Sequence, residues 1–262
     1  MDFTLTTILG FSVIFIATTL GSSLVFFFKN DISDKTNTLF LGFAAGIMIA
    51  ASVWSLLLPA IEQSAYLNGL AFMPAAVGFL LGGGFLVLLD KVVPHFHRGN
   101  ELEEGPKSSL NRSAKMFLAI TIHNIPEGLA VGFAFGAASM LATTEAALAA
   151  LGLAIGIAVQ NFPEGAAVSL PLKKSTGSNR KAFLFGTASG AVEPIAAVVG
   201  FLLAATLTAI QPYLLSFAAG AMIFVVAEDL IPDAKLGENS HLGTWAIMIG
   251  FTVMMVLDVA LG

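Results

Sequence analysis

Long apolar runs separated by short polar stretches make up almost the whole chain. Runs of about 18 residues or more, the length that spans a bilayer as a helix, fall at roughly 4–28, 38–61, 71–93, 114–138, 145–172, 181–209, 213–232 and 242–261. The pattern predicts an all-α polytopic membrane protein with eight transmembrane helices. No stretch between the runs is long enough to hold a soluble domain, so residues 1–262 are expected to form one transmembrane unit. The start, Met1-Asp2-Phe3-Thr4, lacks the basic segment of a cleaved signal peptide, and the first run is expected to be retained.

The polar stretches set the orientation. Lys29 and Lys35 follow helix 1, and Lys91, Arg98, Lys107, Arg112 and Lys115 follow helix 3. Lys173, Lys174, Arg180 and Lys181 follow helix 5, and Lys235 follows helix 7. All 12 basic residues therefore follow odd-numbered helices. Basic loops stay cytoplasmic, which predicts both termini outside.

An internal repeat runs through the apolar pattern. Phe43-Ala44-Ala45-Gly46-Ile47-Met48-Ile49 in helix 2 is matched by Phe217-Ala218-Ala219-Gly220-Ala221-Met222-Ile223 in helix 7. Gly82 and Leu89-Asp90 in helix 3 are matched by Gly250 and Leu257-Asp258 in helix 8. Five helices separate each pair, so the copies run in opposite directions. Helices 1–3 and 6–8 are read as an inverted repeat around a central helix 4/5 pair, an arrangement typical of secondary transporters. Coincidence between small-residue packing helices is the alternative.

Composition narrows the function. The chain is 56% hydrophobic and 11% charged, with mean hydropathy +0.88. No basic stripe suits nucleic acid. Cysteine is absent, which excludes disulfides, thiolate metal sites and thiol nucleophiles.

Against this background two hexapeptides stand out. His123-Asn124-Ile125-Pro126-Glu127-Gly128 lies in helix 4, and Gln160-Asn161-Phe162-Pro163-Glu164-Gly165 lies in helix 5. Residues four apart share a helix face, so His123 stands over Glu127 and Gln160 over Glu164. Pro126 and Pro163 deprive the carbonyls of Ile122 and Val159 of their partners. At about 1.5 Å per residue, His123 lies roughly 14 Å and Glu127 roughly 20 Å from the cytoplasmic face. Glu164 and Gln160 lie roughly 12 and 18 Å from it, and Glu193 on helix 6 roughly 18 Å. Three carboxylates at similar depth repel unless protonated or neutralised by cations, and acids inside a membrane are functional by default. Imidazole together with carboxylates suits zinc and its first-row neighbours, whereas calcium and magnesium prefer oxygen alone. Met48 either adds a thioether or simply packs.

The paired motifs, the eight helices and the external termini resemble the ZIP (Zrt-/Irt-like) family of divalent metal transporters. Phe43 to Ala51 and Gly190-Ala191-Val192-Glu193-Pro194 resemble its bacterial members in particular. The resemblance implies import of Zn²⁺ into the cytoplasm as transported substrate, with Cd²⁺, Fe²⁺, Mn²⁺ and Co²⁺ as related cargo and no organic cofactor. It implies a binuclear centre, one metal on Met48, His123, Glu127, Gln160 and Glu164, the other on Asn124, Glu127, Asn161, Glu164 and Glu193. Some relatives carry aspartate where this chain has Asn161, so the second position here lacks one negative charge. The resemblance further implies a homodimer in a bacterial inner membrane, lipid and metal ions as its partners, and elevator motion of helices 1, 4, 5 and 6 against 2, 3, 7 and 8.

Residues toward the helix ends extend the picture. Glu62 and Asp258 are expected near the outer surface, either attracting a cation or merely ending helices. Asp90, His95 and His97 after helix 3, with Glu228 and Asp229 on helix 7, are expected to accept an ion on the inner side. Two rival functions remain. An intramembrane metalloenzyme would need three strong ligands and a water position, but only one of the 4 histidines lies at membrane depth and HExxH is absent. A transporter of organic cations or a sodium-coupled solute would leave His123 unexplained.

Overall fold

The computed structural model describes residues 2–28, 33–96, 103–110, 112–234 and 241–261. Among these, eight helices are long and apolar enough to cross a membrane. They are α1 (Phe3–Phe26), α2 (Asp34–Gln63), α3 (Phe72–Val92), α4 (Ser113–Leu141), α5 (Thr144–Thr176), α6 (Asn179–Thr206), α7 (Thr208–Asp233) and α8 (Leu242–Leu261). They coincide with the apolar runs, with ends displaced by a few residues. A two-residue strand pair, His95–Phe96 against Glu103–Glu104, lies between α3 and α4.

Local sequence explains where these helices begin, break and widen. Ser33, Thr143 and Ser178 cap α2, α5 and α6, each side chain accepting from an N–H three residues on. α5 ends at Gly177, whose φ of 64° is the left-handed turn that glycine adopts cheaply. α6 is broken at Ala191, which separates Asn179–Gly190 from Val192–Thr206. Pro194 cannot donate to the carbonyl of Gly190, four residues back, and it sits in the first turn of the new segment, where a missing N–H costs nothing. α2 and α7 each widen into a π turn, Ser52–Leu57 and Val226–Leu230. Pro59 and Pro232 follow them, and the carbonyls they leave without an N–H, at Ser55 and Glu228, fall inside those π turns.

The helices associate in four extensive pairs, α1 with α5, α4 with α6, α2 with α8 and α3 with α7. Lipid provides no hydrophobic drive between helices, so close backbone approach at small residues holds such pairs together. Gly46 faces the carbonyl of Ile247, and Gly250 faces that of Phe43. In the other pair Gly220 faces the carbonyl of Phe79, and Gly82 faces that of Phe217. Exchanging α2 with α7 and α3 with α8 turns one set of contacts into the other. Gly128 and Gly132 lie against the α6 backbone at Glu193 and Ala197, while Gly21 and Gly165 seal α1 to α5. Contacts among α1, α4, α5 and α6, and between α2 and α7, group the pairs into two bundles, α1/α4/α5/α6 and α2/α3/α7/α8, which meet where α2 and α8 touch α5 and α4 touches α7. Where Gly152 and Gly156 of α5 meet α8, the neighbours are mainly the side chains of Leu261 and Met254 rather than backbone.

A side chain at Gly220 would push apart backbones that now touch. Gly220→Val is expected to destabilise the protein by about 1–3 kcal/mol or more, read as earlier thermal unfolding in detergent. Gly84→Ala, where a Cβ meets nothing within 4 Å, should leave the unfolding temperature unchanged or slightly raised.

Candidate metal centre

α4 and α5 both continue as helices through their motif prolines. This continuity preserves the four-residue spacing, so each helix presents its motif along one stripe. α6 approaches from the side, and its break places Glu193 in the first turn of the second segment. The partial positive charge of a helix start favours a carboxylate there. Asn124, Glu127, Gln160, Asn161 and Glu193 are each 2% exposed or less.

Glu193 is the best-satisfied of these groups. Its Oε1 accepts from Thr18 Oγ1 of α1 at 3.1 Å and from Asn124 Nδ2 of α4 at 3.0 Å. Its Oε2 accepts from Asn161 Nδ2 of α5. The same amides reach backbone as well, Asn124 Nδ2 to Ser189 O at 3.2 Å and Asn161 Nδ2 to Ile14 O at 3.3 Å. Asn161 Oδ1 in turn accepts from Gln160 Nε2 at 2.6 Å. One carboxylate thus joins all four helices of its bundle.

The opposite holds beside it. Glu127 Oε2, Gln160 Oε1 and Asn124 Oδ1 are buried and accept no hydrogen bond. Glu127 stands next to the Gln160 amide and within electrostatic reach of Glu164 and Glu193. Buried oxygens without donors are costly, and together with neighbouring carboxylates they form a surface that a cation satisfies. Met48 is fully buried on α2, which packs against α5.

His123 is oriented differently. Its Nε2 lies 3.2 Å from Asp229 Oδ2, in the π turn of α7. Among the described residues no group of three histidine, aspartate or glutamate side chains forms a ready-made metal cage. Coordination by His123 together with Glu127 and Glu164 therefore requires the imidazole to leave Asp229 or to share it.

The residues expected toward the ends are spread out. Ser55 Oγ, in the π turn of α2, donates to Asp258 Oδ1 on α8. Glu62 is exposed past Pro59, and Glu228 is exposed on α7. Asp90 is half-buried near the end of α3, and His95 lies in the short strand that follows. His97 lies outside the described residues. Three partners escaped the sequence reading: Thr18, the contact of Asp229 with the motif histidine, and Ser55. α1 carries several hydroxyl residues and their spacing does not single out Thr18. Ser55 and Asp229 did carry a signal, since the repeat matching Gly46 to Gly220 also matches Ser55 to Asp229.

A sequence profile of the family described as ZIP zinc transporter matches residues 103–258. Zinc transporter ZIP11 of Homo sapiens is 38% identical, with 94% of each chain aligned. Zinc transporter ZIPB of Bordetella bronchiseptica is also 38% identical, over 97% of this chain and 81% of that protein. Zinc transporter GufA of Myxococcus xanthus is 35% identical, over 94% of this chain and 95% of its own length.

Removing the hydroxyl that α1 contributes to Glu193 should loosen the bundle whatever the protein carries. Thr18→Val is expected to cost about 0.5–2 kcal/mol, seen as a lower unfolding temperature in detergent. Thr18→Ser keeps the donor and should unfold near the wild-type temperature.

Proposed function

The chain belongs to the ZIP zinc transporter family, an integral membrane family of transporters rather than enzymes, and from that premise we propose that it imports Zn²⁺ into the cytoplasm. The observation that carries the assignment is the set of buried, donor-less oxygens of Glu127, Gln160 and Asn124 beside the carboxylate of Glu164. A divalent cation supplies the charge that this surface needs. Glu127 and Glu164 neutralise it, Gln160 adds an amide oxygen, and His123 and Met48 add softer donors that favour zinc and cadmium over harder ions. The site has no thiolate, which keeps affinity moderate and permits release.

The path on either side uses the two π turns. Outside, Asp258 and Ser55 form a half-buried polar step between α8 and α2, and Glu62 adds exposed charge. Inside, Asp229 stands against His123. An ion leaving the core exchanges with that contact, passing from imidazole to the Asp229 carboxylate and on toward Glu228 and Asp90. The motion is an elevator of α1, α4, α5 and α6 against the other four helices. Glycine contacts lock the helix pairs inside each bundle backbone to backbone, whereas the glycines of α5 that face α8 meet mainly flexible side chains. A boundary of that kind slides at lower cost than one of interlocked backbones. The homodimer draws on the least buried spans, α3 and α8, which expose Leu80, Leu81, Trp245 and Val259.

Glu127→Ala and Glu164→Ala should each reduce zinc uptake into proteoliposomes to background, with expression and unfolding temperature retained. Near-normal uptake by either variant would refute the assignment. His123→Asp should move the competition profile away from zinc and cadmium toward manganese by about tenfold or more, about 1.4 kcal/mol in differential binding. An unchanged profile would remove the imidazole from the selectivity site.

A further inference from the structure

Resting on that reading, we propose that the chain carries one zinc ion at a time: Glu193 is not a metal ligand but the centre of a polar clamp standing where a second metal would bind.

The geometry at Glu193 carries this. A second ion would need oxygen from Asn124, Asn161 and Glu193 at once. Both amides present nitrogen to that carboxylate instead. Asn124 Nδ2 and Asn161 Nδ2 donate to Oε1 and Oε2 respectively, and Thr18 Oγ1 gives Oε1 a second donor. Asn124 spends Nδ2 on Glu193 and Ser189 O and leaves only its Oδ1 without a donor. Turning Asn161 breaks its bonds to Glu193 and Ile14 O, and also expels Gln160 Nε2 from Asn161 Oδ1. Three hydrogen bonds of Asn161 would be lost at a site that is 0% exposed at Glu193.

The clamp also does something a metal could not do without leaving with the cargo. Thr18, Asn124, Asn161 and Glu193 belong to α1, α4, α5 and α6, so the network ties the whole bundle together permanently. Through Gln160 Nε2 it fixes the orientation of the neighbouring amide, whose Oε1 accepts no hydrogen bond. In this way the clamp aims a cargo ligand while staying out of the cargo's coordination shell. An aspartate at position 161 cannot donate. It would release Oε2 of Glu193 and present a carboxylate of its own, which opens the second position.

The test is zinc stoichiometry on the purified full-length chain in lipid nanodiscs, by equilibrium dialysis against zinc alone with elemental analysis. Wild type should saturate at one zinc per chain, and two would overturn the proposal. Asn161→Asp should saturate at two, and a folded variant still holding one would show that the clamp does not exclude the second ion. Glu193→Gln should keep one zinc with affinity within about threefold, because the carboxylate is not a ligand. Loss of that zinc from a folded variant would also overturn the proposal. If Glu193→Gln does not fold, the first two measurements decide. Failure of the transport reading looks different: wild type would then bind no zinc, or Glu127→Ala would bind as well as wild type.

Discussion

Every polar atom at hydrocarbon depth has to find its partner within the protein, because lipid supplies none. That constraint explains the arrangement around Glu193 and also the gap beside it. Where Thr18, Asn124 and Asn161 converge, a carboxylate is buried with donors on both oxygens. A few residues away, Glu127 and Gln160 each keep a buried oxygen without a donor. The first arrangement is satisfied within the protein. The second leaves acceptors over, and the proposed zinc site draws on them. The two can lie side by side because the helices that supply them are held at glycine contacts, where backbones touch and leave little freedom to redistribute donors.

Much of this was legible in the chain. The apolar runs placed eight spans, since hydrocarbon thickness fixes helix length almost regardless of neighbours. The two Pro-Glu-Gly motifs marked where Asn124, Glu127, Gln160 and Asn161 lie buried, because proline and carboxylate inside an apolar run are too costly to be incidental. Family membership followed from the same residues. The pairing of helices was less visible, although Gly46, Gly82, Gly220 and Gly250 marked the contact points in advance, being small residues repeated at matching places.

What remained hidden involves direction rather than identity. The sequence names Asn124 and Asn161 but not which end of each amide faces Glu193, and that choice separates a ligand from a donor. It names His123 and Asp229 but not that they meet, because 106 residues and an inter-bundle boundary lie between them. Asp229 was expected on the inner route and is found against the motif histidine, a position set by the widened turn of α7, which Pro232 marks in the sequence without saying what Asp229 meets. Thr18 was invisible for a related reason. A threonine in a transmembrane helix can return its hydroxyl to its own backbone, as Thr18 does toward Ile14 O at 3.2 Å, and only packing decides whether it also reaches across.

The widened turns of α2 and α7 have a consequence for how this chain tolerates changes in length. A π turn holds one residue more than the α-helix it interrupts. Losing a single residue there would restore an ordinary helix and leave the residues beyond it on the faces they now occupy, because the turn had absorbed the extra residue. Only the side chains of the turn itself would be re-aimed, Asp229 away from His123 in α7 and Ser55 away from Asp258 in α2. Elsewhere in these helices a one-residue deletion spoils packing over many turns. At these two places it would leave a well-formed helix in which only the side chains of the turn have moved. Single-residue deletions at Ser52–Leu57 or Val226–Leu230 are therefore the length changes by which a descendant of this chain could keep its fold and lose these two contacts.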